Sequence, residues 1–145
     1  MAYWDTSCLL KLYVPEKDSA LIRAYLLEGV NVVTSEITRL EFWAALVRKE
    51  KSGDLNPGGA RKALAAYDAD VAAQMILVKP ISAAVAERFE AIMEQSGEHT
   101  PAIWLRTLDG IHIATAADAA ESEMVATDKR LREAASKFNF VLYPR

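Results

Sequence analysis

Apolar residues occur along this chain in two patterns: short continuous runs, and longer segments with an apolar residue every three or four positions. The short runs predict strands over residues 1–4, 31–34, 75–79, 124–127 and 138–143. The helical spacing predicts helices over residues 6–13, 17–28, 35–52, 57–74, 82–95, 105–121 and 128–137, with a loop at 97–101. Because helices separate the strands, we expect parallel pairing with crossover helices on both faces of the sheet. The pattern predicts one α/β domain over residues 1–145.

Composition agrees with a folded intracellular domain and excludes several other classes. The chain is 52% hydrophobic and 26% charged, which is ordinary for a globular protein. No apolar run approaches the roughly 20 residues that span a bilayer, and the N-terminus lacks the zones of a signal peptide. The single cysteine, Cys8, allows no internal disulfide, so we expect a reducing, cytoplasmic location and no membrane association.

The charge balance permits a nucleic-acid ligand without indicating one. The net charge of −3 argues against a nonspecific polyanion binder. Basic residues nevertheless cluster at 48–51, 61–62 and 129–132, and we interpret each cluster first as a solvated helix face.

Four acidic residues are candidates for a shared site: Asp5, Glu41, Asp109 and Asp128. We expect Glu41 about two turns into its predicted helix and Asp109 in the first turn of its own. Asp5 and Asp128 each follow a predicted strand, and ligands of open parallel sheets bind at the carboxyl ends of the strands. Carboxylates gathered in one cleft repel each other unless a cation or protonation compensates them, and Mg²⁺ prefers oxygen ligands. Each acid also has a simpler interpretation, since aspartates often cap helices and a lone helical glutamate is usually exposed.

Four strings carry these acids, in the order YWDTSCLLKLY, TSEITRLEFWAAL, LRTLDGIHIATA and MVATDKRL. In that order and separation they resemble the PIN-domain ribonucleases, specifically the toxins of VapBC toxin–antitoxin pairs. The resemblance covers nearly the whole chain and implies a three-layer α/β sandwich with a central, mostly parallel sheet of about five strands. It also implies an endoribonuclease that depends on Mg²⁺ or Mn²⁺. By motif, the metal and catalytic residues are Asp5, Glu41, Asp109 and Asp128, with polar support from Thr6, Ser7 and Thr127.

Ordinary metal chemistry supplies the mechanism that this resemblance implies. A carboxylate-held cation lowers the pKa of a bound water and neutralises charge on the phosphate, so that in-line attack leaves a 5′-phosphate and a 3′-hydroxyl. The expected partners are an RNA substrate, a cognate antitoxin and a second copy of the chain. Two alternatives remain: a noncatalytic RNA-binding or scaffold domain, and phosphoryl transfer through an aspartyl intermediate, which the DTSC context of Asp5 disfavours.

Several other residues carry weaker expectations. We expect His112 to be a packed, hydrogen-bonded neighbour of the acids, and Trp104 to be packed although it could stack on a base. Gly110 stands where alanine is more usual in such strings, which suggests a looser helix start. Ser35 and Thr107 are the expected N-caps of their helices. A possible dimer face comprises Trp43, Leu46 and Tyr67.

Overall fold

The computed structural model describes residues 1–145 and contains five strands and seven helices. The strands are β1 (Ala2–Trp4), β2 (Val32–Ser35), β3 (Ile76–Lys79), β4 (Glu123–Val125) and β5 (Val141–Tyr143). The helices are α1 (Thr6–Tyr13), α2 (Ser19–Leu27), α3 (Ile37–Lys51), α4 (Gly59–Ala72), α5 (Ala83–Glu98), α6 (Thr107–Asp118) and α7 (Lys129–Lys137). No helix has the length and apolar character required to cross a membrane.

The five strands form one sheet in the order β3-β2-β1-β4-β5, and every neighbouring pair is parallel. The strand β1 lies at the centre, with Tyr3 paired to Val33 of β2 and to Met124 of β4. The chain builds β2 and β3 on one side of β1 and then crosses to build β4 and β5 on the other. The strand order therefore reverses at β1, which is the position where open parallel sheets bind ligands. The predicted parallel sheet is confirmed.

Two hydrophobic cores lie on opposite faces of the sheet because successive side chains of a strand point to opposite sides. Ala2 and Trp4 belong to the core under α1, α2, α3 and α4, whereas Tyr3 belongs to the core under α5, α6 and α7. A parallel strand covered on both faces must be apolar throughout, which explains why β1 reads as a continuous apolar run. The expected three-layer sandwich is confirmed.

Several predicted element ends differ from the structure, and four of the differences affect a cap, a loop or a strand. Ser35 is the last residue of β2 rather than a helix cap, because Ser35 still pairs with Lys79 of β3. Thr107 is the first residue of α6, and its N-cap Arg106 makes no side-chain capping bond. The helix α5 continues through Gly97 to Glu98, so the expected loop begins later. The last strand spans only Val141–Tyr143, three residues later than predicted at its start.

The expected dimer face was wrong in its residues. Leu46 and Tyr67 are buried in the core between α3 and α4. Trp43 is half-buried, and the guanidinium of Arg61 lies 4.3 Å from the centre of its ring. The helical spacing that made these residues look like a surface stripe instead marks the packing of one helix on the other.

The expectation for Gly110 was also wrong. A Cβ at this position would lie 2.7 Å from Cε2 of Phe89 and 3.2 Å from Sδ of Met93. Gly110 is buried and allows α5 and α6 to approach each other closely. The glycine therefore tightens the packing of the helix that carries Asp109.

Candidate active site

A polar cleft of about 640 Å³ opens near the carboxyl ends of β1 and β4 and contains all four predicted acids, Asp5, Glu41, Asp109 and Asp128. Asp5 directly follows β1, and its backbone N–H donates to the carbonyl of Val125 in β4 at 3.1 Å. Parallel strands end at one edge of the sheet, which is why residues from distant parts of the sequence meet here. The structure thus brings together the four acids that sequence motifs singled out.

Asp5 is buried and held by bonds to both of its oxygens. Oδ1 accepts from the backbone N–H of Cys8 at 2.9 Å and so caps α1, while Oδ2 accepts from the Ser7 hydroxyl at 2.6 Å. Ser7 in turn lies 3.3 Å from the hydroxyl of Thr127. Burial raises the pKa of Asp5 above its ordinary value, although these hydrogen bonds oppose the shift. The helix-cap and cleft interpretations of Asp5 are therefore both correct.

Glu41 reaches the cleft from the second turn of α3 and is fixed by two neighbours. Its Oε1 accepts from the Thr6 hydroxyl at 2.7 Å and contacts Nε2 of His112 at 2.6 Å. Burial alone would raise the pKa of Glu41. The hydrogen bond and charge of His112, together with Thr6, outweigh burial, and the pKa lies below its ordinary value. Glu41 is therefore an anion positioned by two side chains from different helices.

A buried hydrogen-bonded chain joins Tyr3, His112 and Glu41. The Tyr3 hydroxyl lies 2.6 Å from Nδ1 of His112, whose Nε2 faces the carboxylate. Because a carboxylate can only accept, Nε2 carries a proton, and the Tyr3 hydroxyl is the hydrogen-bond partner of Nδ1 on the other side of the ring. Burial, followed by the charges of Asp5 and Glu41, raises the pKa of Tyr3, so its hydroxyl keeps the proton. The network connects the Glu41 carboxylate of α3 to Tyr3 of β1 through His112 of α6 and so holds the carboxylate in place.

The two remaining acids, Asp109 and Asp128, are close enough for their negative charges to repel each other. Asp109 lies in the first turn of α6, and its Oδ2 is buried without a hydrogen-bond partner. Burial and then the charge of Asp128 raise the pKa of Asp109. Asp128 caps α7 through Oδ1, which accepts from the N–H of Leu131 at 2.9 Å. That bond uses only one of the two Asp128 oxygens, so the cap does not exclude a second role.

The donors of the cleft fit a hard divalent cation in their chemistry. Carboxylate oxygens are the preferred ligands of Mg²⁺ and Mn²⁺, and an unpartnered buried oxygen on Asp109 is a polar group that a cation satisfies. In their present rotamers, no three carboxylate, imidazole or thiol groups converge as a ligand set. Binding of a cation would require the carboxylates to be drawn together, against the repulsion between Asp109 and Asp128.

Basic side chains surround the acids. Arg48, Arg106, Lys129 and Arg130 line the same cleft as the acids. Two of the basic clusters that we interpreted as solvated helix faces thus contribute to the cleft, whereas Arg61 of the third covers Trp43. The arrangement combines acidic and cationic side chains, as needed to bind a metal ion and a phosphate backbone in one place.

Sequence reasoning missed the partner of His112 and the cleft position of the arginines. His112 is buried and hydrogen-bonded, as expected, but its link to Glu41 joins positions far apart in the chain. The only available signal was that His112 follows Asp109 by one helical turn and so faces the same way.

Comparison with known proteins identifies the family. Residues 2–137 match the PIN domain, so the chain belongs to the PIN domain family. No curated protein sequence is similar enough to count as a relative.

Solved structures share the fold at low sequence identity. Mycobacterium tuberculosis VapC20, described as a toxin that cleaves the sarcin–ricin loop, is 17% identical, with a TM-score of 0.73 and 97% of each chain covered. A toxin–antitoxin complex from Klebsiella pneumoniae contains a chain that is 22% identical, with a TM-score of 0.55 and coverage of 88% of this chain and 87% of that one. VapBC2 from Rickettsia felis, bound to a DNA fragment from its promoter, gives 12% identity, a TM-score of 0.66 and coverage of 98% and 97%.

Proposed function

We propose that this chain is a Mg²⁺- or Mn²⁺-dependent endoribonuclease and the toxin of a type II toxin–antitoxin pair. The main support is that Asp5, Glu41, Asp109 and Asp128 share one cleft with four basic side chains, in a chain of the PIN domain family. The fold shared with VapC20, which is described as a toxin that cleaves the sarcin–ricin loop, favours a nuclease activity for this chain as well.

In the proposed reaction the four carboxylates would hold the cation, and the basic side chains would bind the RNA backbone. When bound, the cation supplies a water of lowered pKa and neutralises charge on the scissile phosphate, so that the products are a 5′-phosphate and a 3′-hydroxyl. Thr6 and His112 orient Glu41, and Ser7 and the N-terminus of α1 orient Asp5. Thr127 supports Ser7 from the β4 side. These bonds fix two of the ligands before the ion binds, which lowers the entropic cost of its capture.

We further propose a cognate antitoxin and a homodimer as partners. The Klebsiella and Rickettsia chains come from toxin–antitoxin complexes, which favours a protein inhibitor of this chain as well. An inhibitor that places an arginine among the carboxylates would satisfy the same charges as a metal ion.

Since Leu46 and Tyr67 are buried, a dimer needs other apolar residues. Leu40 and Ile81 are exposed and line one groove with Val78. Light scattering that finds only monomers at micromolar concentration contradicts the dimer.

We also propose a cytoplasmic location. The single cysteine, Cys8, is a buried free thiol, which agrees with a reducing compartment.

The decisive experiment measures cleavage of total cellular RNA by the wild type and by Asp5→Asn, with Mg²⁺ and with chelator. Asparagine keeps the oxygen that caps α1, so the variant should fold while losing a charged ligand. We expect metal-dependent cleavage with mapped 5′-phosphate ends, reduced at least ~100-fold in the variant. The matched control is Asp118→Asn, because Asp118 pairs with Arg88 on the surface of α6 away from the cleft.

The outcomes separate the candidate functions. Wild-type protein that binds RNA without cleaving it supports a noncatalytic RNA-binding domain and contradicts the nuclease. Cleavage that survives in chelator, or in Asp5→Asn, contradicts the metal-dependent mechanism and points to a contaminating ribonuclease.

A further inference from the structure

The segment between α5 and α6, residues 99–106, holds one aromatic side chain in solvent. We refer to these residues as the 99–106 strap. Ile103 and Leu105 pack against the core of the α5–α7 face, and the backbone N–H of Ile103 donates to the carbonyl of Ser96 at 2.9 Å. Trp104, between them, is 87% exposed. Residues 103–105 therefore alternate, with Ile103 and Leu105 against the core and Trp104 in solvent.

Such exposure is unusual for tryptophan. An aromatic side chain of this kind can bury roughly 150–250 Å² of surface when it is covered by a partner. The other two tryptophans of the chain are covered, Trp4 by the core and Trp43 partly by Arg61. The expectation that Trp104 packs was therefore wrong, and its exposed ring needs another explanation.

The surroundings of Trp104 connect it to the acidic cleft. A hollow of about 410 Å³ beside the strap is lined by Trp104, His99, Arg130, Glu133 and Lys137. Arg130 and Glu133 also line the acidic cleft. The two hollows therefore share Arg130 and Glu133, and the hollow beside the indole ring holds a second cation, Lys137.

We propose that Trp104 is a stacking platform for an unpaired base of the RNA whose scissile phosphate lies in the acidic cleft. Aromatic faces stack with any base, and neighbouring cations neutralise the backbone that carries it. Arg130 spans the two hollows and contacts the phosphate between the stacked nucleotide and the scissile bond. This assignment rests on the proposed ribonuclease function and adds a substrate class to it: RNA that is single-stranded next to the cut.

Binding of a short unstructured RNA oligonucleotide in chelator tests the proposal without requiring cleavage. We expect Trp104→Ala to weaken binding roughly 5- to 150-fold, the range of one lost base stack, and Trp104→Phe to weaken it less. Removing one base from the oligonucleotide should weaken wild-type binding similarly and Trp104→Ala binding no further. Leu27→Ala is the matched control, because Leu27 is 86% exposed and lies outside both hollows.

Tryptophan fluorescence provides a second measurement. RNA should quench the wild-type signal and leave that of Trp104→Phe nearly unchanged, since Trp4 is buried and Trp43 lies outside both hollows. Equal RNA affinity of Trp104→Ala and the wild type overturns the proposal. Loss of antitoxin binding with RNA binding intact also overturns it and assigns the strap to a protein partner. Failure of the nuclease proposal would be detected separately: the wild type would then not cleave the same oligonucleotide when Mg²⁺ or Mn²⁺ is added.

Discussion

Replacing Asp109 by asparagine should stabilise the metal-free protein and destabilise the metal-bound protein relative to the wild type. Asp109 carries a partly buried carboxylate whose Oδ2 has no hydrogen-bond partner, next to the charge of Asp128. Asparagine keeps a polar atom at this position but removes the charge, and an unsatisfied buried charge costs more than an unsatisfied neutral group, by about 1–2 kcal/mol. The substitution also gives up a favourable interaction with the N-terminus of α6, worth about 0.3–1 kcal/mol. The net gain is about 1 kcal/mol, or about 3 °C in melting temperature for a chain of this size.

The pH dependence has a definite sign. Because the pKa of Asp109 is higher in the folded than in the unfolded protein, its ionisation destabilises the fold at neutral pH. The penalty disappears as the pH falls through this raised pKa towards the ordinary value of about 4, where the folded protein takes up the proton. The advantage of Asp109→Asn should therefore be full at pH 7 and fade in acid.

Thermal unfolding in chelator and in excess Mg²⁺ or Mn²⁺ measures both halves of the prediction. An ion at a hundred times its dissociation constant stabilises the wild type by about 2.7 kcal/mol, and the variant should gain much less. The order of the two melting temperatures should then invert. Asp118→Asn removes a charge from the same helix outside the cleft and should respond to metal as the wild type does. The reasoning is refuted if the wild type melts identically in chelator and in excess metal. It is also refuted if Asp109→Asn is less stable than the wild type in chelator.

Two further predictions concern stability and are measured by urea denaturation. Gly110→Ala should destabilise the fold by about 1 kcal/mol, because overpacking against Phe89 costs about 1–3 kcal/mol and exceeds the helix gain of roughly 1 kcal/mol. In a Phe89→Ala background the same change should become stabilising, and an unchanged sign contradicts the close-packing explanation. Tyr3→Phe should cost about 1–2 kcal/mol because Nδ1 of His112 loses its buried hydrogen-bond partner, and an unchanged stability would show that this bond is not needed.

The order of strands and helices could be predicted from the sequence. A strand that is covered on both faces is a continuous apolar run, which differs from the spaced apolar residues of a helix. The β1 run is apolar because Ala2 and Trp4 face one core while Tyr3 faces the other. Element ends were less certain because they depend on tertiary contacts. Ser35 has the side chain of a helix cap, yet pairing with Lys79 keeps it in the sheet.

The four acids were identified from motifs, and their convergence followed from the parallel sheet. The polar network could not be predicted in the same way. Nothing local in the sequence connects His112 with Glu41, since their contact depends on how α3 and α6 are placed across the sheet edge. The close approach of Phe89 to Gly110 likewise depends on the packing of α5 on α6. Trp104 is exposed while its neighbours Ile103 and Leu105 pack against the core, and the sequence pattern alone did not indicate which of these three side chains would face solvent.

The central position of β1 also determines when the cleft can exist during synthesis. β1 is translated before the other four strands and can pair with β2 early, but its other neighbour, β4, is translated only after β3. Asp128 follows β4, so a nascent chain that ends before β4 lacks both this carboxylate and the strand that positions it. On the proposed function, such a nascent chain is inactive, and an inhibitor does not need to recognise it.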